Sequence, residues 1–116
     1  MVPIGGGTII FTGATAALRG RPNFAAFNSA KSGLRTLAQA MAKESGPQRI
    51  HVGHVIINGT IAGDKVIKGN PQYAQQLGED GMVELEGIVN GFVYLYKQSA
   101  RAWTFELDLR TSKEKW

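Results

Sequence analysis

The sequence predicts an α/β fold in which helices pack on a parallel sheet, and three observations carry that prediction. Two runs rich in β-branched residues, TIIFT at 8–12 and IHVGHVII at 50–57, show little polar alternation, as strands covered on both faces do. Between and after them, apolar residues recur at the three-and-four spacing of a helix. A closing segment alternates Trp103, Phe105, Leu107 and Leu109 with Thr104, Glu106, Asp108 and Arg110, which is strand periodicity with one wet face. Strand, helix, strand, helix, strand implies about three parallel strands joined by right-handed crossovers in a single domain over residues 1–116.

Gly5, Gly6 and Gly7 predict a flexible entry to the first strand, which stops at Gly13. After a polar turn at Arg19, Gly20, Arg21 and Pro22, the positions Phe27, Ala30, Leu34, Leu37 and Met41 share one helical face, and Gly46 with Pro47 ends the run. The second strand leads directly into Asn58 and Gly59. The polar, glycine-bearing stretch from Thr60 to Asn70 reads as a mobile excursion, and Pro71 after Asn70 as a short helix start. Met82, Leu85, Ile88, Val89, Phe92 and Tyr96 predict a second amphipathic helix, and the alternating C-terminal segment an edge strand.

Composition narrows the function. With 43% hydrophobic residues in 116, the chain is long enough for one modest core. It has no cysteine, so disulfides, thiolate metal sites and cysteine nucleophiles are excluded, and a cytoplasmic location is the expectation. The net charge of +4 is spread along the chain, which gives no support to nucleic acid as a partner. No apolar run has the length of a membrane helix, and Met1 leads into Val2, Pro3 and glycines, unlike a cleavable leader. His51 and His54 lie three apart on a strand and so face opposite ways, which reads them as ordinary strand residues with no metal between them. Arg19 and Arg21 suit an anionic group or, more simply, a solvated loop.

One motif is more specific. The strand at 8–12, the segment FNSAK from Phe27 to Lys31, the strand at 50–57 with its Asn58-Gly59 exit, and the terminal AWTFELDLR strand together resemble the C-terminal half of a short-chain dehydrogenase/reductase. The resemblance implies half of a Rossmann-like doubly wound sheet, an NAD(P)-dependent oxidoreductase, and a small carbonyl or alcohol substrate in the complete protein. In that family a tyrosine and a lysine four residues apart share a helix face, so the ammonium lowers the phenol pKa while the phenol exchanges a proton with the substrate oxygen. Lys31 fits the lysine, which also holds the nicotinamide ribose. Phe27 stands at the tyrosine position, and Ala14 stands where the family has serine. The strand exit Gly59, Thr60 and Ile61 resembles the turn whose amides meet the nicotinamide carboxamide, with Asn58 at the usual proline.

Two departures follow from the residues themselves. Phe27 has no exchangeable proton and Ala14 no hydroxyl. Thr12 and Thr15 flank Ala14, but neighbouring side chains alternate in direction at a strand exit, so neither replaces the serine automatically, and Tyr73 from the mobile stretch reads more simply as a packing residue. The glycine-rich turn that holds a dinucleotide pyrophosphate follows a strand, whereas Gly5–Gly7 precede one. The expectation is therefore a partial NAD(P)-binding domain without its N-terminal nucleotide-binding half, which would bind NADP or NAD only with that half. The competing reading is a non-catalytic binding or oligomerisation module derived from the same fold. The amphipathic helix from Phe24 to Lys43 would then make a homo-oligomer, as helices of the resembled family do.

Overall fold

The computed structural model describes residues 2–114. Three strands, β1 (Gly7–Ala14), β2 (Ile50–Asn58) and β3 (Glu106–Arg110), stand in that order in one sheet, and both pairings are parallel. The long helix α1 (Ala25–Ser45) connects β1 to β2. The return to β3 runs through two short helices, α2 (Asp64–Ile67) and α3 (Pro71–Leu77), and then α4 (Leu85–Lys97). The α/β class, the three strands and the helices between them match the sequence pattern.

The lack of alternation in 50–57 has a direct cause, since every residue of β2 is buried. Ile50 and Val52 pack with Ala38 of α1, joined by Ile9, Phe11 and Met41. Val55 and Ile57 point the other way and pack with Ile88 and Leu95 of α4 and with Val83. The two long helices thus cover opposite faces of the central strand, and apolar residues are required on both. A Cβ on Gly91 would lie 3.1 Å from Leu109 and 3.2 Å from Leu107, so this glycine lets α4 settle closely on β3.

Several local readings change. On α1 the buried residues are Asn28 and Ala38, whereas Phe27 and Leu37 of the expected stripe are exposed. Four changes concern the rest of the chain. The buried stripe of α4 is Ile88, Gly91 and Leu95, while Leu85, Val89 and Tyr96 are exposed, because the close approach at Gly91 sets which side of the helix meets the sheet. The glycine entry is a defined turn: Gly5 and Gly6 have φ of 88° and 147°, and a Cβ on Gly6 would lie 2.6 Å from the Arg49 carbonyl oxygen. The stretch from Thr60 to Asn70 contains α2 and a bridge from Ile61 to Val83, and the Asn70 side chain accepts from the Tyr73 amide to cap α3.

The fourth change concerns the last strand, which begins at Glu106 and not at the tryptophan. Gln98, just past α4, exchanges two hydrogen bonds with Thr104: its Nε2 donates to Oγ1 and its Oε1 accepts from the Thr104 amide, both at 2.8 Å. The Thr104 carbonyl accepts from His51 Nε2 at 2.8 Å, and the His51 ring stacks on Trp103 with centroids 4.8 Å apart. Side chains therefore take the groups that a longer ladder would have used.

The polar face of β3 is also not simply wet. Arg35 of α1 donates from Nε and Nη2 to the two Glu106 oxygens, each at 2.8 Å, and the fully buried His54 donates from Nδ1 to Oε2 at 3.0 Å. Glu106 thereby links α1, β2 and β3. Principally through the Arg35 hydrogen bond, its carboxyl is held below the usual carboxylate range, and Arg35 is raised by the same contact. His51 and His54 do face opposite ways, but each anchors a different part of the β3 approach, which the description as ordinary strand residues missed. The His54 ring lies against Gly13, where a Cβ would come within 2.1 Å of Nε2.

Two outcomes are expected. Because the Glu106 pKa is depressed on folding, its stabilisation is present above the unfolded carboxylate range near about pH 4.3 and is lost as pH falls through the lower folded value. Glu106→Gln should lower unfolding free energy near neutrality by about 1–2 kcal/mol and flatten that acid loss, as read by urea denaturation across the acid range. Gly13→Ala should destabilise by about 1–3 kcal/mol in the same assay, since the new methyl must displace a buried imidazole.

Candidate functional site

The residues singled out in the sequence collect at the C-terminal ends of β1 and β2, the end at which open parallel sheets bind ligands. β1 finishes at Ala14, and a single 3₁₀ turn at Thr15–Ala17 sends the chain back toward α1. β2 finishes at Asn58, and Gly59 turns away with φ of 145°, a conformation that requires glycine.

Phe27 lies in the first turn of α1 and Lys31 one turn later, on the shared face that their spacing implies. The Lys31 ammonium stands 5.8 Å from the Phe27 ring centroid, and Nζ donates to the Thr12 carbonyl at 3.5 Å. With no phenol beside it, the lysine is directed to the end of β1. Phe27 is 49% exposed and forms the wall of a cleft of about 300 Å³ together with Phe24. Ala14, Ala16 and Ile57 supply apolar floor, and Thr15, Gly59 and the Arg21 side of the loop complete it. The structure thus brings Ala14, Phe27 and Gly59 to one opening.

Lys31 borders this opening without lining it. Thr60 lines a second cleft of about 490 Å³, which shares Thr15, Arg21 and Gly59 with the first and adds Arg19 and Tyr73. Tyr73 lies with its hydroxyl 3.4 Å from the Thr60 hydroxyl, so its phenol belongs to this adjoining compartment. Ile61 is turned into the bridge with Val83: the Val83 amide donates to the Thr60 carbonyl at 2.7 Å and the Ala62 amide to the Val83 carbonyl at 2.9 Å. No loop hydrogen bond among the described residues uses the Thr60 or Ile61 amide. Arg19 is half-buried and Arg21 exposed in the loop before α1, and both border the second cleft. A larger space of about 720 Å³, bordered by Glu79, Asp80 and Asp108, lies between the second crossover and the end of β3. Neither Phe27 nor Lys31 borders it.

Two polar residues at the site escaped the sequence reading. Asn28 is buried and accepts from the Arg21 amide through Oδ1 at 2.8 Å, which fixes the loop that walls the cleft. The cue was a short amide beside Phe27 in the first turn of the helix. Asn58 is wholly buried, and its Oδ1 lies 2.6 Å from Thr15 Oγ1. Its place was visible as the residue before the exit glycine; its partner, 43 positions earlier, was not.

Comparison with known proteins bears on the family and the fold. Residues 1–73 match the family model described as short chain dehydrogenase. A short-chain dehydrogenase from Rhodopseudomonas palustris is 40% identical, with a TM-score of 0.69, over 95% of this chain and 41% of its own. A short-chain dehydrogenase from Mycobacterium paratuberculosis bound to NAD is 25% identical, with a TM-score of 0.71, over 94% of this chain and 46% of its own. The closed form of a serine dehydrogenase complexed with NADP+ superposes with a TM-score of 0.82 at 16% identity, covering 100% of this chain and 48% of that one. The chain therefore spans less than half the length of these structures. The search of curated proteins finds no match. With more than half of the sequence inside the family model and the parallel α/β fold on the page, this chain belongs to the short-chain dehydrogenase family.

Proposed function

We propose that residues 1–116 form the substrate-side part of an NAD(P)(H)-dependent oxidoreductase that interconverts small carbonyl compounds and alcohols in the complete protein, with Phe27 in the slot of the proton-exchanging tyrosine. The observation that carries this reading is the Lys31 ammonium over the Phe27 ring at 5.8 Å, one helical turn apart, beside a cleft that also holds Ala14. Lys31 and the Gly59, Thr60 and Ile61 turn would hold the nicotinamide end of NADP or NAD. The amides of Thr60 and Ile61, uncommitted within the loop, are suited to a carboxamide acceptor. The nicotinamide supplies the hydride. Within this chain Gly5 and Gly6 precede β1 and Gly7 opens it, so among the described residues they form no strand-to-helix glycine turn to offer a pyrophosphate site.

The chemistry of the remaining residues is reduced. Phe27 presents ring carbons where a phenol would exchange a proton, and loss of a positioned general acid typically lowers rate by about 10²- to 10⁴-fold. Lys31 without a phenol has only its cofactor-holding role. Among the described residues no helix is long and apolar enough to cross a membrane, and a cytoplasmic oxidoreductase is the setting that fits a cysteine-free chain.

A second reading has its own observation. Phe24, Phe27 and Leu37 of α1 and its N-cap are 49–55% exposed, an apolar surface suited to a second copy of the chain. In that reading the fold serves as a non-catalytic oligomerisation module.

Isothermal titration of NADPH into the 116-residue chain should give no measurable heat; clear binding would refute the claim that the nucleotide site needs residues beyond these. In a full-length protein carrying this segment, Phe27→Tyr should raise NADPH-dependent carbonyl reduction by about 10²-fold or more. An unchanged rate would remove Phe27 from the tyrosine slot. Sedimentation should show an associated chain that Leu37→Glu shifts toward monomer, and a wild-type monomer would count against the oligomer surface.

A further inference from the structure

We infer that Thr15 is the hydroxyl that binds the substrate oxygen in this cleft, that Asn58 is its positioning residue, and that the ligand is an apolar, aromatic-bodied carbonyl compound. The inference rests on the substrate-side reading of the site given above and goes further by naming the donor and the substrate class.

The starting point is an unbalanced pair. Thr15 Oγ1 and Asn58 Oδ1 lie 2.6 Å apart, while Asn58 Nδ2, in a side chain with no accessible surface, has no partner among the described residues. A buried donor without an acceptor costs about 1–3 kcal/mol, and orphaned N–H groups are rarer than under-satisfied carbonyls. Oxygen and nitrogen of an amide exchange places by a half-turn of the side chain, and the hydrogen-bond network decides between them. With the amide turned, Nδ2 donates to Thr15 Oγ1 once the pair opens slightly from 2.6 Å to the N–H···O range of about 2.7–3.2 Å, and the atom left unpaired is the carbonyl oxygen, the less rare orphan.

That rotation changes what Thr15 can do. In the first arrangement its one proton goes inward to Asn58. In the second it accepts from Asn58, and its proton is free to point outward. Thr15 borders both adjoining clefts and is the one hydroxyl-bearing residue bordering the smaller, Phe-walled one. The other polar side chains there are Arg21, at the loop, and Asn28, whose Oδ1 accepts from the Arg21 amide. The donor that Ala14 cannot supply is therefore available one residue later, locked at its oxygen by a buried amide.

The ligand class follows from the walls. Phe24 and Phe27 present ring surface, and Ala14, Ala16 and Ile57 present methyl groups. An aromatic ketone fills such a space and offers one acceptor to one donor. Thr15 binds that oxygen without transferring its proton.

The test is an NMR titration of the 116-residue chain with two probes, acetophenone and ethylbenzene, which match in size and differ in the carbonyl. Thr15→Val should weaken acetophenone by about 5- to 10-fold, the loss of one hydrogen bond. It should leave ethylbenzene within about twofold, a split that a merely structural role would not produce. Thr15→Ser should retain acetophenone affinity, and Thr15→Ala provides a second hydroxyl deletion should the valine not fold. Equal acetophenone affinity in wild type and the deletions overturns the assignment of Thr15 while leaving the cleft as a ligand site. If neither probe shifts the resonances of Ala14, Phe27 or Gly59 in wild type, the substrate-side reading falls and this inference falls with it.

Discussion

The whole molecule hangs on a strand that has no access to water. Once β2 is buried along its length, every polar side chain on it must find a partner inside the protein. It carries three: His51, His54 and Asn58. His51 holds Trp103 and the Thr104 carbonyl, His54 meets the Glu106 carboxylate, and Asn58 meets Thr15. These contacts are made at successive levels of the strand, so they fix the approach to β3, the link from β3 to α1, and the exit of β1. The last of these levels is the candidate site. Function and fold meet there because the strand ends that expose backbone to a ligand are also where burial of the central strand stops.

The elements set by short-range pattern were legible in the sequence, and those set by pairing between distant residues were not. The apolar run at 8–12 and the unalternating run at 50–57 marked β1 and β2 to within two residues at any end. FNSAK placed Phe27 and Lys31 on one face because a helix repeats locally. Glu106, by contrast, reads as the polar member of an alternating strand; its partner Arg35 is 71 positions away, and only the register of β3 on β2 brings His54 beside it. The start of β3 was misread for the same reason. Trp103 and Phe105 have strand character, but Gln98 and His51 draw off the hydrogen bonds at Thr104. In α4 the apolar residues outnumber what one face can bury, so periodicity alone did not choose between the stripe with Val89 and the stripe with Gly91.

The same covering logic explains the surfaces that stay open. β1 and β3 are the edges of a three-stranded parallel sheet, and both flanking helices extend apolar side chains outward: Phe24 and Leu37 around α1, Val89 and Tyr94 on α4. Parallel sheets are stable when both faces and edges are covered. Covering comes either from further strands of the same fold or from a second copy, and the two differ in what they do at the site. Further strands beside β1 would bring a nucleotide site to Lys31, whereas a second copy on α1 would cover the Phe27 wall.

If Phe27 stands in the slot of a catalytic tyrosine, as proposed above, it changes the site in more than one way. Removing a phenol deletes a proton carrier, and it also removes the group for which a neighbouring ammonium is most useful. Lys31 then reaches the Thr12 carbonyl, whose negative end of the peptide dipole is the nearest acceptor. The cleft beside it is walled by two phenyl rings over alanine and isoleucine, with Thr15, Arg21 and Asn28 as its polar side chains, which favours a largely apolar ligand with one polar end. In such surroundings a hydroxyl held in one direction by a buried amide influences orientation more than it would in a polar pocket. The Thr15 and Asn58 pair occupies that position, at the edge between the apolar cleft and the basic one with Arg19 and Tyr73. In the proposed reading, phenylalanine in the phenol's slot leaves a site suited to holding a carbonyl oxygen rather than to protonating it.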